Sequence, residues 1–303
     1  MTDFSSIRKK VDFYDDGECR IKLCLGLTLH SSVSFKENTA GILDFYAESL
    51  GLIKSHITRY DVDGNEQFKK IKNKAFDLLP FWASDDCEER DLYGLTLDNG
   101  NDESGLSDYS FDLFEFTNPL YVRLVLPLEF IEPGPEAFLQ LAKQASQRFR
   151  LISGDAGFCT HMDPDFPSER EGGHIYALSR RFHGIDFGHV TAFGHCMGDG
   201  IRGINWLTFV GEEGLKLVGG KSGLRTKLSK EIIIHDLDHG LMIQAGPTPG
   251  FGDVNRQDRL PLYHEVGRAL TALRIPDEVL LETNHIGGKE NTRAWLDRFY
   301  DLD

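Results

Sequence analysis

Hydrophobic side chains occupy every second position in two segments of this chain, residues 19–30 and residues 121–131. A period of two places the apolar side chains on one face of a β-strand. A Pro-Gly-Pro sequence at residues 133–135 follows the second segment, and apolar residues then recur at helical spacing over 138–149. Residues 151–161 return to the strand pattern. Together these positions predict a β-α-β unit.

The rest of the pattern predicts further helices and strands. Helices are expected at residues 35–53, 66–79, 215–218, 224–228, 260–273 and 289–300. Strands are expected at residues 56–62, 92–97, 109–116 and 204–210, with a hairpin formed by residues 231–237 and 240–245. Pro80 is expected to end the helix at 66–79.

Alternating strands and helices, with at least one antiparallel hairpin, indicate the α+β class. We expect mixed or antiparallel sheets covered by helices, in two α/β halves packed into one compact protein. The first half is residues 1–118, which include an acidic segment at 85–115, and the second half is residues 119–303. A chain of 303 residues that is 40% hydrophobic is long enough to bury such a core.

Negative charge is concentrated in the acidic segment, residues 85–115. The whole chain has a formal net charge of −15, and this segment contains eleven carboxylates but one base, Arg90. A surface of this kind repels nucleic acid and membranes and attracts a basic partner. The acids predicted to contact that partner are Asp85, Asp86, Glu88, Glu89, Asp91, Asp98, Asp102, Glu103 and Asp108.

Two other interpretations of the acidic segment stay open. A run of charge is often a solvated loop that keeps a protein soluble. The stretch from Asp98 to Glu103 also offers oxygen ligands for calcium, although it lacks the twelve-residue spacing of an EF-hand. Because that spacing is missing, calcium is the less favoured interpretation, and the expectation is no metal and no cofactor in this chain.

The cysteines and the N-terminal sequence predict a cytoplasmic protein. The five cysteines include no C-x-x-C pair, which favours reduced thiols. The first residues contain no apolar stretch of signal-peptide length, and no apolar run is long enough to cross a bilayer. We expect no direct contact with a membrane.

Three sets of residues could support catalysis or metal binding. Cys196 lies in a G-x-C-x-G sequence, but a strand follows it where a nucleophile elbow requires a helix. Cys159 and His161 share a strand face without a third orienting group. His235 and His239 have zinc-like spacing for a helix, whereas the pattern predicts a hairpin there. The sequence therefore predicts no catalytic or metal-binding residue, and a cysteine- or metal-dependent hydrolase is the alternative.

The loop at residues 245–255 is rich in glycine and proline but has neither the P-loop nor the dinucleotide-binding order. Asp253, Asn255, Arg256 and Asp258 are expected to form a local cluster of hydrogen bonds and ion pairs. That cluster would fix the start of the following helix.

Three segments, at residues 149–158, 201–210 and 245–274, together resemble the bacterial type VI immunity protein family, called TsiV-like. The resemblance covers roughly residues 120–274, and Thr271-Ala272 stand where the family pattern has a proline. The matching residues are Asn205, Trp206, Leu207, Thr208, Phe209, Gly252, Asp253, Asn255, Arg256, Pro261, Tyr263, Ala269, Leu270, Leu273 and Arg274. The resemblance implies a protein that binds and neutralises a toxin, with these residues in structural roles.

The resemblance and the charge together give one hypothesis. It is an immunity protein that neutralises a cognate type VI effector toxin, namely a nuclease with a basic cleft, without binding nucleic acid itself. An acidic surface would compete with phosphates for that cleft. An acidic scaffold without a toxin is a third class, which the product of the neighbouring gene would distinguish.

Overall fold

The structure is a computed structural model that describes residues 4–31, 33–65, 67–100, 106–115, 119–162, 169–188, 197–198, 200–280 and 286–300. The strands are β1 (Phe13–Asp15), β2 (Glu18–Ser31), β3 (Arg59–Val62), β4 (Lys69–Lys70), β5 (Tyr93–Asp98), β6 (Ser110–Glu115), β7 (Leu120–Leu126), β8 (Ser153–Met162), β9 (Leu207–Gly211), β10 (Ile232–Leu237) and β11 (Gly240–Ala245). The helices are α1 (Phe4–Val11), α2 (Thr39–Ile53), α3 (Leu78–Ala83), α4 (Glu136–Ser146), α5 (Glu169–Ser179), α6 (Glu212–Leu217), α7 (Gly220–Lys227), α8 (Pro261–Ala269) and α9 (Lys289–Leu296).

The strands form one sheet in the order β10-β11-β9-β8-β2-β7-β6-β5-β3-β4, with β1 paired to β2. Each of these pairings is antiparallel. Because β7 and β8 both pair with β2, they run parallel to each other, and α4 connects them. The predicted β-α-β unit and the α+β class are confirmed, with β2 inserted between the two parallel strands. The division into halves at residue 118 stays a prediction.

The alternation of β2 gives the sheet two different faces. Leu23, Leu25, Leu27 and Leu29 are fully buried on the face that α2 and α4 cover, which we call the helix face. Tyr46 of α2 packs on this face against the ring of Phe111 at a centroid distance of 4.9 Å. Residues of opposite parity point to the other face, which we call the polar face.

Two of the expected elements differ from the structure. The helix expected at 66–79 is wrong, because the chain there forms β4 and a 3₁₀ turn at Asn73–Asp77 before α3 begins. Pro80 lies in the first turn of α3, where its missing N–H has no helical partner to lose. The strand expected at 121–131 ends at Leu126, because Pro127 cannot donate to the ladder.

A row of polar residues crosses the polar face from β3 to β9. Residues directly opposite each other on neighbouring strands lie side by side on one face. In order across the sheet, the row consists of Asp61, Thr96, Asp112, Arg123, Thr28, Asp155 and Thr208. Polar groups at the centre of a sheet need partners, since a buried charge without one is strongly destabilising.

Arg202 supplies the partner for two of the buried carboxylates. Its guanidinium donates to Asp155 at 2.7 Å and also to Asp186, and a third hydrogen bond reaches the carbonyl of Gly188 at 2.9 Å. Arg202 is only 4% exposed. The two carboxylates therefore share one buried cation that comes from outside the sheet.

We expect Arg202→Met to lower the free energy of unfolding by about 3–5 kcal/mol, because both carboxylates lose their cation inside the protein. Urea denaturation measures the change. The control is Arg225→Met, which removes an ion pair with Asp236 that is largely exposed to water. That change should cost less than about 1 kcal/mol. Equal losses in the two variants would contradict the role assigned to Arg202.

Candidate functional site

The structure divides the acidic segment between a surface loop and the sheet. Residues 85–91 connect α3 to β5, and we call them the acidic loop. Its five carboxylates are exposed, and none forms an ion pair within the described residues. These residues are Asp85, Asp86, Glu88, Glu89 and Asp91. Of the predicted acids that the structure describes, these five are therefore the exposed ones without an ion pair.

The single base of the acidic loop does not pair with these acids, because its guanidinium binds Asp63. Arg90 binds both carboxylate oxygens of Asp63, at 2.8 and 2.7 Å. Its Nε also donates to the carbonyl of Leu92 at 3.1 Å, and its guanidinium lies 4.8 Å from the ring centroid of Trp82. Arg90 thus fixes the loop to the turn after β3 and leaves the five acids without an ion pair to it.

The start of the acidic loop is fixed as well. Nζ of Lys36 donates to the carbonyl of Trp82 at 2.7 Å and to the carbonyl of Ser84 at 3.2 Å. Phe81, in the last turn of α3, keeps 53% of its surface exposed. A large exposed apolar side chain therefore comes shortly before the acids in the chain, on a backbone held at both ends.

Asp98 was predicted to contact the partner, and the structure corrects that prediction. Its carboxylate is 6% exposed and accepts a hydrogen bond from Nε of Arg59 at 2.6 Å. It also accepts the backbone N–H of Gly100 at 2.9 Å. These contacts hold the end of β5 in place, so Asp98 does not belong to an exposed acidic surface.

The remaining acids of the acidic segment have different surroundings. Asp108 is partly exposed and forms an ion pair with Lys22. Asp102 and Glu103 lie outside the described residues. Glu115 accepts the N–H of Phe35 at 2.8 Å, and burial raises the pKa of its carboxyl. The acidic segment is thus not one continuous surface.

Cys159 and His161 do not form a reactive pair in this structure. Cys159 is buried beside Cys24 and Val125, and burial raises the pKa of its thiol to about 11. A thiol with that pKa is protonated at neutral pH and is a weak nucleophile. Nε2 of His161 lies 3.2 Å from Oγ of Ser107, which gives the ring a different partner.

The structure also places the two candidate metal ligands, His235 and His239. The predicted hairpin of β10 and β11 is confirmed, so His235 lies on a strand and His239 in the turn. Nε2 of His235 lies 3.1 Å from Oε1 of Gln244. Within the described ranges, no group of three or more His, Cys, Asp or Glu could hold a metal. Cys196 lies outside those ranges.

The first group of family-like residues, residues 205–209, includes the start of β9. Oγ1 of Thr208 accepts the N–H of Asn205 at 3.2 Å, and Trp206 donates its indole N–H to the carbonyl of Gly246 at 2.9 Å. A Cβ on Gly157 would lie 2.3 Å from Oδ1 of Asn205, so this strand position must be glycine. These contacts give the residues structural roles.

The second group joins the loop after β11 to its surroundings. Asp253 accepts two hydrogen bonds from Arg181, each at 3.0 Å, and caps the N–H of Asn255 at 3.2 Å. The hydroxyl of Tyr263 accepts the N–H of Gly250 at 3.2 Å. The predicted local cluster is therefore present, and it fixes the loop in front of α8.

A shallow recess on the polar side is lined by Asp155, Asp186, Arg202, Asn205 and Arg298. Its charged groups already bind one another or nearby backbone. Arg298, for example, donates to the carbonyl of His183 at 2.7 Å. The recess is thus part of the buried charge network.

Among the described residues, the acidic loop is thus the surface with the densest unpaired charge, and no metal-binding group accompanies it. The chain belongs to the family described as type VI immunity for VRR-NUC, whose sequence model matches residues 43–299. It is thus an immunity protein of the type VI secretion system, directed against a VRR-NUC nuclease effector.

Comparison with solved structures shows the same fold in the Pseudomonas aeruginosa T6SS protein PA0821. The two share 20% sequence identity and a TM-score of 0.81, with 98% of this chain and 90% of that chain covered. A search of the curated proteins found no match. Among the described residues, no helix is long and apolar enough to span a membrane.

We expect Arg90→Ala to lower the free energy of unfolding by about 1 kcal/mol, since the pair with Asp63 is partly exposed. The larger effect should be local, because the loop loses its attachment to the turn after β3. Hydrogen exchange of the amides in residues 84–92 should accelerate while the exchange of β2 amides stays unchanged. Unaltered exchange in the loop would contradict the anchoring role.

Proposed function

We propose that this immunity protein inactivates its nuclease effector by placing the acidic loop in the effector's positively charged nucleic-acid cleft. A nuclease must neutralise phosphate charges with lysine and arginine side chains. The observation that carries the proposal is that the five exposed carboxylates form no ion pair within the described part of the chain, while Arg90, the base within the loop, binds Asp63 instead. The loop would therefore occupy the place of the phosphates.

The rigid attachment of the acidic loop supports this mode of inhibition. Binding is weakened when a loop must become ordered on contact, and a preformed loop avoids that loss. The contacts of Arg90 and Lys36 hold this loop at both ends. Its charges would also steer the two proteins together, which raises association rates by about 10- to 1000-fold.

Charge alone does not give a tight complex, because exposed ion pairs contribute only about 0–1 kcal/mol each. Large apolar and aromatic side chains usually supply most of the binding energy at an interface. Phe81 is placed to do so, since it is exposed beside the acids. We assign it the role of the apolar contact next to the loop.

The proposed target also determines where the protein would act. A nuclease effector damages nucleic acid in the cytoplasm, so its inhibitor is needed there. The acidic loop repels nucleic acid, so the partner would be the effector itself.

Reversing three acids of the loop should slow association with the effector. We expect Asp85→Lys, Asp86→Lys and Glu88→Lys in one variant to lower the association rate at least about tenfold at low salt. Stopped-flow mixing with the purified effector measures this rate. The difference should shrink as salt rises, because ions screen the charges.

The matched control carries Glu132→Lys, Glu231→Lys and Glu278→Lys, which reverse three exposed acids outside the loop. Both variants change the net charge by the same amount. The control should associate nearly as fast as the parent protein. Equal slowing in the two variants would show that only the total charge matters and would remove the loop from the interface.

Inhibition should be stoichiometric, because the protein is proposed to occupy a cleft without chemical turnover. Titration of nuclease activity should reach complete inhibition at about one inhibitor per effector. Cys196→Ala should inhibit as well as the parent protein does. Inactivation by a small fraction of an equivalent, lost in Cys196→Ala, would instead favour the hydrolase alternative.

A further inference from the structure

A partly exposed acid, Asp112, lies on the polar face near the centre of β6. Asp112 belongs to the polar row between Thr96 of β5 and Arg123 of β7. Asp112 and Thr96 both keep part of their surface exposed, although they lie in the interior of the sheet. The helices that cover β6, among them α2, contact its opposite side through Phe111. The polar face is therefore partly open at this position.

The carboxylate of Asp112 has no cation within 4.0 Å among the described residues. Arg123 lies directly opposite, but its guanidinium donates to the carbonyl of Thr160 at 3.1 Å. Asp112 is left with neutral donors, namely the hydroxyls of Ser110 at 3.1 Å and of Thr96. Other acids on this face differ, since Asp98 has Arg59 and Asp155 has Arg202.

The charged state of Asp112 is unfavourable in the free protein. Burial raises the pKa of its carboxyl to about 6, and the nearby carboxylate of Asp98 adds to the rise. Arg123 and the two hydroxyl donors act in the opposite direction. Tyr121 of β7 is the other titratable group that faces it. A cation from outside would relieve this cost.

Two aromatic side chains lie next to Asp112 on the same face. Phe114 of β6 and Tyr121 of β7 are direct cross-strand neighbours with ring centroids 6.3 Å apart. Both keep part of their surface exposed. Aromatic rings beside a carboxylate form a favourable environment for an arginine or lysine side chain.

This position is continuous with the acidic loop. Phe114 packs against the turn that follows β3, where a Cβ on Gly64 would lie 3.2 Å from the Phe114 ring. The neighbouring residue of that turn, Asp63, is the partner of Arg90. The same turn therefore supports the acidic loop on one side and the aromatic ring on the other.

We infer that the open part of the polar face receives a basic side chain of the effector, which pairs with Asp112 beside Phe114 and Tyr121. The inference rests on the proposed function, because it requires a basic nuclease as partner. Charge complementarity and the continuity with the acidic loop identify this occupant. The acidic loop would guide the approach, and Asp112 would form the short-range contact.

The test is Asp112→Asn, which keeps the shape and the hydrogen bond from Ser110 but removes the charge. Dissociation constants for the effector should rise about 10- to 100-fold at pH 7.5, measured by calorimetry. The control is Asp236→Asn on β10, an exposed acid at the far end of the sheet. Its dissociation constant should stay within about twofold of the parent value.

The stability of the free protein provides a second measurement. Asp112→Asn is expected to weaken binding but to favour the folded state at high pH. The folded pKa of about 6 lies above the ordinary value of 3.8, so the folded state binds the proton more tightly. The contribution of Asp112 is therefore favourable at low pH and is lost as pH rises through 6. Asp112→Asn should be relatively more stable at pH 8 than at pH 5, although it binds more weakly.

The pH dependence of binding follows from the same group. A cation beside Asp112 lowers its pKa in the complex, so binding releases a proton. The affinity of the parent protein should rise between pH 5 and pH 7.5, and Asp112→Asn should lack that part of the rise. A structural role alone would lower stability without this change in the pH profile.

The outcomes separate this inference from the proposed function. Normal binding by Asp112→Asn, with weakened binding by the loop variant, would overturn the inference and leave the loop in place. Normal binding by both variants would overturn both proposals. A parent dimer that dissociates in Asp112→Asn would show that a second copy occupies the face, which also overturns the inference.

Discussion

The pairing of Asp98, Asp155 and Asp186 with arginines is the constraint on which the rest of this structure depends. Arg202 binds both Asp155 and Asp186 inside the protein, and Arg59 pairs with Asp98 at the end of β5. Buried carboxylates on the polar face need such cations, because a buried charge that loses its partner destabilises a protein by about 3–5 kcal/mol. The arginines therefore determine which acids belong to the fold and which remain available outside it.

That division explains how a protein with a net charge of −15 can present a specific surface. The total charge of the protein would repel nucleic acid from every direction, but a total charge cannot select one region of a partner. Turning Arg90 inward to Asp63 concentrates uncompensated charge in a single short loop. The same contact fixes the loop, so one arginine determines both the local charge and the geometry.

The sequence predicted the elements whose signal is local. The hairpin of β10 and β11 has apolar strands on each side of a turn sequence, and the β-α-β unit has a clear change of period. The helix expected at 66–79 failed because β4 exists only through its pairing with β3. Asp98 was misplaced for a similar reason, since Arg59 is distant in the chain and no sequence pattern connects the two. The inward direction of Arg90 has no signal in the sequence.

The two kinds of unpaired carboxylate have different physical consequences. An acid in water, as in the acidic loop, costs little stability and acts at long range, so it changes mainly the rate of association. The carboxylate of Asp112 is ionised in a less polar place, which costs stability in the free protein but strengthens a short-range pair. Pairs of that kind mainly slow dissociation. An inhibitor that must reach a toxin quickly and then hold it has a use for both.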